Sequence, residues 1–320
     1  MAQTKMAQTK MAPSKRILVI KHGALGDIVQ ALDGFACLRA GHGDDHLAVL
    51  TSPAFAGFLG HMPFFDAVHV DHRKGPLALG ELLRMRQFFR QGWDRIYDFQ
   101  SSGRTIRYFK HLIPREVEFV GVPSRASHPL PDMTGMNNRD RMVLTAKLGG
   151  CPEVTASLEW LKGHGDNANP DIAVLIPGCS PAKPAKRWPA ERFAALARKL
   201  LDEGYAPVIV GTELDREVGN AIKAKASGVK DLIGKTDLFG LASLLSTAGL
   251  VVGNDTGPVF MAARLGAPTV MVMSRHTDPD MSAPVGSRAG WVKKDDIAAV
   301  LPEEVLEAVR ALPEPDNASI

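Results

Sequence analysis

The 320-residue sequence is 45% hydrophobic and 23% charged, an ordinary globular composition whose length fits two domains of about 150 residues or one large one. Its formal net charge of +3 allows a basic face toward an anionic small molecule or membrane surface and gives no argument for nucleic acid. Three cysteines, Cys37, Cys151 and Cys179, lack metal-ligand spacing and point to a reduced, cytoplasmic setting, and no apolar run reaches the roughly 20 residues that cross a bilayer.

In chain order, residues 1–14 carry a tandem Met-Ala-Gln-Thr-Lys repeat with no apolar stretch, so a disordered leader is expected rather than a secretory signal. Apolar runs at 16–20, 46–51, 67–71, 95–100 and 117–122 predict strands, with helices at 27–39 and 79–91. Ile28, Leu32, Phe35 and Leu38 share one helical face, as in a helix covering a parallel sheet. Residues 121–140 are rich in turn formers and read as a long loop.

A polar Gly/Asn/Pro linker at 162–171 separates this first domain, 15–161, from a second α/β series over 172–312. Strands are expected there at 171–178, 206–212, 250–255 and 268–273. Helices are expected at 190–203, 213–225, 238–248 and 257–265, with a last one near 302–312 and a polar tail at 313–320. The reading is α/β throughout: two Rossmann-like domains with parallel sheets, their carboxyl-end loops facing across a shared cleft.

Three loops at expected strand ends carry polar chemistry. In Gly253-Asn254-Asp255-Thr256-Gly257-Pro258, the amides of Thr256 and Gly257 can meet a diphosphate at a helix start, or the segment is simply a well-capped turn. Residues 177–193 place Ser180, Lys183, Lys186 and Arg187 beside a helix start, where cations can neutralise a leaving diphosphate or merely face solvent. Residues 97–105 end in Gln100, Ser101, Ser102 and Arg104, suited to a sugar or phosphate but equally to a plain polar loop.

The first glycine loop, His22-Gly23-Ala24-Leu25-Gly26-Asp27, raises a separate question. Loops of this shape usually meet phosphate, yet this one ends in a carboxylate. Asp27 is either a cap for its own helix or a base that takes a proton from an acceptor hydroxyl opposite a bound nucleotide sugar.

Taken together, the segments ILVIKHGALGD, YDFQSSGR, PGCSPAKPAKRWP, GKTDLFGLASLLSTAGLVVGNDTGP and AARLGAPTV resemble glycosyltransferase family 9, the ADP-heptose:lipopolysaccharide heptosyltransferases, over residues 15–312. The resemblance implies a GT-B fold and an inverting transfer of a sugar, with ADP-heptose the favoured donor, onto a lipid-linked saccharide such as lipopolysaccharide core. It implies Asp27 as general base, and Lys186, Asp255, Thr256 and Gly257 at the donor diphosphate, joined here by Pro258, Ser180 and Lys183. Gly23, Gly26, Gln100 and Arg104 are the candidates for the acceptor. No redox cofactor and no obligatory metal are implied.

An acceptor anchored in lipid implies peripheral contact at the inner membrane. Arg84, Arg86, Arg90, Arg104, Arg107 and Lys110 could form a basic face for it. The chain departs from the family pattern at Phe260, where members commonly carry histidine, and at Ser274, where a Gly-x-Thr turn is common; Thr277 keeps the threonine, and His276 stands near the missing imidazole. Phenylalanine cannot hydrogen-bond, so a non-catalytic nucleotide-sugar-binding protein is the alternative, with a nucleotide-sugar epimerase or hydrolase a third.

Overall fold

The computed structural model describes residues 15–75, 78–162, 169–180 and 183–314. The expected leader, most of the expected linker and the end of the expected tail lie outside the described residues.

The first sheet is parallel throughout and contains β1 (Arg16–Ile20), β2 (His46–Thr51), β3 (Ala67–Val70), β4 (Arg95–Asp98), β5 (Glu118–Gly121) and β6 (His128–Pro129), in the order β3-β2-β1-β4-β5-β6. The second contains β7 (Asn169–Ile176), β8 (Ala206–Ile209), β9 (Lys230–Asp231), β10 (Ala248–Asn254), β11 (Thr269–Met273) and β12 (Ala289–Lys293), in the order β12-β11-β10-β7-β8-β9, again parallel. Central strands of such sheets are covered on both faces. That is why β1, β10 and β11 are continuous apolar runs rather than alternating ones.

Every strand expected from the sequence is present, with ends shifted by up to three residues. Strands β6 and β9 are two residues long, too short for any pattern, and β12 is a partly exposed edge with Trp291 47% exposed. The expected helix 27–39 is two helices, Leu25–Gln30 and Leu32–His42, broken at Ala31. The expected loop 121–140 holds β6 and runs into helix Asn138–Leu148. Residues 103–111 form a helix that the turn-like sequence concealed; Ser102 caps it by accepting a hydrogen bond from Thr105 N–H.

The chain divides into two compact units. One comprises the described parts of 1–22, 35–131 and 144–154; the other comprises 23–34, 132–143 and 155–320. In the first, Leu18, Ile20, Phe89, Trp93, Ile96 and Phe119 form a core between the sheet and its helices. In the second, Trp188, Phe193, Leu200, Val252, Val272 and Val305 do the same.

Trp188 is the anchor of that second core. It is 0% exposed, its ring lies edge-on to Phe193 at 4.8 Å, and Nε1–H donates to the Val300 carbonyl at 3.1 Å. Trp188→Ala should therefore destabilise the second unit by about 3–5 kcal/mol in urea unfolding followed by circular dichroism. A loss under about 1 kcal/mol would show that the ring is not what holds the core.

Candidate active site

In an open parallel sheet, ligands gather where strand order reverses, beyond the carboxyl ends of the two strands at that point. The second sheet reverses between β7 and β10. The loops that follow those strands are 177–189 and 255–256, the two that the sequence marks.

Asn254, at the end of β10 and 0% exposed, ties them together. Its Nδ2 donates to the Pro177 carbonyl at 2.9 Å and its Oδ1 accepts from Trp188 N–H at 2.9 Å. The next residue, Asp255, accepts hydrogen bonds at Oδ2 from Lys186 Nζ, an ion pair, and from Thr277 Oγ1 at 2.8 Å. Asp255 thus gathers Lys186 and the buried Thr277 around one oxygen. His276 is exposed.

Thr256 is the extended N-cap of helix Gly257–Arg264 and makes no side-chain cap bond; Pro258 brings no N–H to the first turn. The amides of Thr256 and Gly257 stand at the positive end of the helix dipole. Thr256 and Pro258 also line a cavity of about 380 Å³ with Ser180, Cys179 and Gly178 from the β7 loop and Thr212 and Asp215 from the β8 loop. Leu214, Leu238 and Leu241 add apolar wall. Gly178 leaves room for the Asp215 carboxylate, since a Cβ there would lie 2.7 Å from Asp215 Oδ2. Lys183 is exposed; its N–H donates to the Ser180 carbonyl at 2.9 Å. Burial raises the Cys179 thiol above its ordinary range, so it is no ready thiolate.

The Asp27 loop belongs to this same unit. Gly23 sits at φ +110°, a conformation that glycine tolerates, and Leu25 lines the same cavity as Thr256. Helix Leu25–Gln30 lies against helix Gly257–Arg264 so closely that a Cβ on Gly257 would be 2.8 Å from Gly26 N and 2.8 Å from Leu25 Cβ. A Cβ on Gly26 would be 3.1 Å from Phe260 Cδ2, so the phenylalanine packs its ring onto the Asp27 loop. Asp27 is half-buried, and its Oδ2 accepts from Ala24 N–H at 2.9 Å. Asp27 is therefore not the N-cap, which is Ala24; from the third helical position it accepts from the cap's backbone through one of its two oxygens.

Asp33 holds the far end of this contact. The carboxylate is 0% exposed in its side chain and accepts from Arg264 at 2.5 Å, Arg139 at 2.6 Å and Ala156 N–H at 2.9 Å. None of Asp33, Arg139 and Arg264 was among the residues singled out from sequence, since they are too far apart in the chain to suggest one another.

The first sheet reverses between β1 and β4. There the loop after β1 meets the loop after β4. His22 N–H donates to Gln100 Oε1 at 2.9 Å, and Lys21 Nζ donates to the Phe99 carbonyl at 3.1 Å. His22 Nε2 is 2.9 Å from Asp71 Oδ2, which also accepts from Tyr108 OH at 2.7 Å. Arg104 donates to Tyr108 OH at 3.0 Å and to the carbonyls of Arg73 and Lys74. Gln100 and Arg104 are thus parts of one polar cluster in the first unit. Its hub, His22 with Asp71, carried no sequence signal beyond the position of His22 at a strand end.

Burial alone would raise the Asp71 carboxyl. The hydrogen bonds from His22, Tyr108 and Arg73 N–H outweigh it and hold Asp71 at about 2. Asp98, 0% exposed, goes the other way: burial pushes it up to about 6, against hydrogen bonds from Thr105, Ser101 and Gln100.

The fold is now matched by relatives. The model for glycosyltransferase family 9 (heptosyltransferase) matches residues 145–301. Over 350 aligned residues the chain is 26% identical to lipopolysaccharide heptosyltransferase 2 of Escherichia coli K12, covering 93% of this chain and 98% of that protein. Two solved structures share the fold: a family 9 glycosyl transferase from Veillonella parvula DSM 2008 has a TM-score of 0.75 at 20% identity, over 93% of this chain and 97% of the other. An E. coli heptosyltransferase solved with ADP has a TM-score of 0.72 at 18% identity, over 92% and 99%.

Because the folded pKa of Asp71 is depressed, its stabilisation is full above the ordinary value of 3.8 and is lost as pH falls through about 2. Asp71→Asn should cost roughly 2 kcal/mol in urea unfolding at pH 7, and the gap from the parent should close as pH approaches 2. A gap independent of pH would show that the charge is not what the cluster stabilises.

Two parallel six-stranded sheets, an Asp-Thr-Gly-Pro turn at the reversal point of the second and relatives aligned over most of the chain agree: the chain is similar to glycosyltransferase family 9, whose model matches its residues 145–301.

Proposed function

We propose that this glycosyltransferase moves heptose from ADP-heptose onto a lipopolysaccharide-core or other lipid-linked acceptor in one inverting displacement, with Asp27 as general base. The relatives' names support the sugar and the acceptor, and the ADP in one solved relative supports the nucleotide. The observation that carries the reading is the seating of Gly26 against Gly257, which sets the carboxylate-bearing loop beside the turn that offers amides to a diphosphate.

In this reading residues 172–312 bind the donor and residues 15–161 the acceptor. The diphosphate takes the Thr256 and Gly257 amides and the Lys186 ammonium, with Ser180, Lys183 and Pro258 around it. Asp255 acts through Lys186 and Thr277, which already occupy its oxygen, since a carboxylate facing phosphate would be repelled. The acceptor hydroxyl attacks the anomeric carbon while the bond to the diphosphate breaks. Asp27 takes the hydroxyl proton on Oδ1, the oxygen that Ala24 does not engage. Negative charge grows on the departing ADP, and Lys186 with the helix N-terminus stabilises it there.

Gly23 and Gly26 keep side chains out of the acceptor's path; within the first unit, Gln100 and Arg104 are the residues suited to a saccharide. Phe260 does not remove a donor contact in this scheme; it packs on Gly26 and keeps the Asp27 loop in place. The setting is the cytoplasm, with peripheral contact at the inner membrane and no nucleic-acid partner. Among the described residues no helix is long and apolar enough to cross a membrane.

The test is ADP release from ADP-heptose with and without lipopolysaccharide-core acceptor. Acceptor-dependent release is expected, and release without acceptor, or none with any core acceptor, would overturn the reading. Asp27→Ala should lower kcat by about 100-fold or more while leaving donor Kd nearly unchanged. Parent-like turnover in that variant would remove Asp27 from the mechanism.

A further inference from the structure

Helix Leu79–Phe89 of the first unit buries Met85, Phe88 and Phe89 and leaves three leucines in water: Leu79 is 70% exposed, Leu82 43% and Leu83 64%. At about 100° per residue, Leu79, Leu82 and Leu83 share an arc of roughly 100° with Arg86 and with Arg90 at the C-terminal cap. The stripe is apolar at its start and cationic at its end.

Beside it, between this helix and helix Gly103–His111, lies a groove of about 240 Å³. Leu82, Met85 and Leu112 provide apolar lining; Lys74, Arg107 and His111 bring cationic or titratable side chains to it. Among the described residues, Lys74, Arg86, Arg90 and Arg107 are exposed and make no ion pair; the one acid lining the groove, Glu81, is held by Arg84. Exposed leucines with unpaired cations on one helix face are the composition of an interfacial membrane contact.

We infer that helix Leu79–Phe89 and the adjoining groove dock on an anionic lipid bilayer, with Leu79, Leu82 and Leu83 entering the headgroup boundary and Arg86, Arg90, Lys74 and Arg107 meeting lipid phosphates. Charge complementarity selects this occupant. A second copy packed on the same face would bring its own unpaired Arg86 and Arg90 to the contact, with no free acid on the helix to pair either set. The proposal deepens the reading of the acceptor as lipid-linked and rests on it for its purpose, though not for its geometry.

The test is co-sedimentation of the full chain, without donor, with phosphatidylcholine vesicles that contain or lack phosphatidylglycerol. Binding to the anionic vesicles is expected, weakened by added salt and at least about fivefold lower on neutral ones. Arg86→Gln/Arg90→Gln and Leu79→Ser/Leu83→Ser should each reduce binding about tenfold. Both pairs are exposed, so Tm should not move and transfer to a delipidated core saccharide should match the parent.

Equal binding to neutral vesicles, or double variants that bind like the parent, would overturn the proposal. So would a dimer in light scattering that the leucine variant dissolves while vesicle binding is absent. A chain that binds anionic vesicles through this face yet transfers no sugar would sink the enzymatic reading and leave this one standing.

Discussion

Helices Leu25–Gln30 and Gly257–Arg264 come together through Gly26 and Gly257, where even a methyl group would strike backbone or a neighbouring side chain. Helices usually pack about 8–10 Å apart, and only residues without side chains let two backbones come nearer. Phe260 presses on Gly26 at one end of this contact, and at the other Arg264 reaches the buried carboxylate of Asp33. Removing one partner from such a buried charge cluster costs on the order of 3–5 kcal/mol, which makes Asp33 a strong fastening. The consequence is topological. A segment from the first hundred residues becomes part of the second unit and brings Asp27 beside the Thr256–Gly257 turn.

Around that turn, the division of labour among polar groups follows from what each can tolerate. Asn254 is neutral and fully buried, and it spends both ends of its amide on the neighbouring loop. Asp255 is charged and sits further out, where Lys186 and Thr277 satisfy it. The cation therefore stands at the end of the strand with its position set by a carboxylate, an arrangement that fixes a charge before any ligand arrives. The first unit shows the same logic with two aspartates. Asp71, with three hydrogen-bond donors, is held at about 2; Asp98 also has three, but burial outweighs them there and it rises to about 6.

Much of the fold was legible because parallel strands buried on both faces leave long apolar runs, as in Ile17–Ile20 and Thr269–Met273. Helix Gly103–His111 was not, because its first turn is spelled in residues that also make loops, and only the Ser102 cap distinguishes the two. Strand β12 escaped notice for the opposite reason: it pairs along β11 at an edge, and an edge strand with an exposed Trp291 needs no apolar pattern. At the site, the Asp-Thr-Gly-Pro turn and the lysine loop could be found from spacing because each is a local event at a strand end.

Local order along the chain determined the α/β alternation, the two sheets and the loops at their carboxyl ends, since hydrophobic periodicity and turn chemistry act over a few residues. Tertiary structure alone decided that the Asp27 loop sits on the helix after β10, that Phe260 packs on Gly26, and that Asp33 binds arginines 106 and 231 residues away. Pairings across such separations leave no trace in spacing. They arise because a buried carboxylate must find cations and two glycines permit a close approach, whichever part of the chain supplies them.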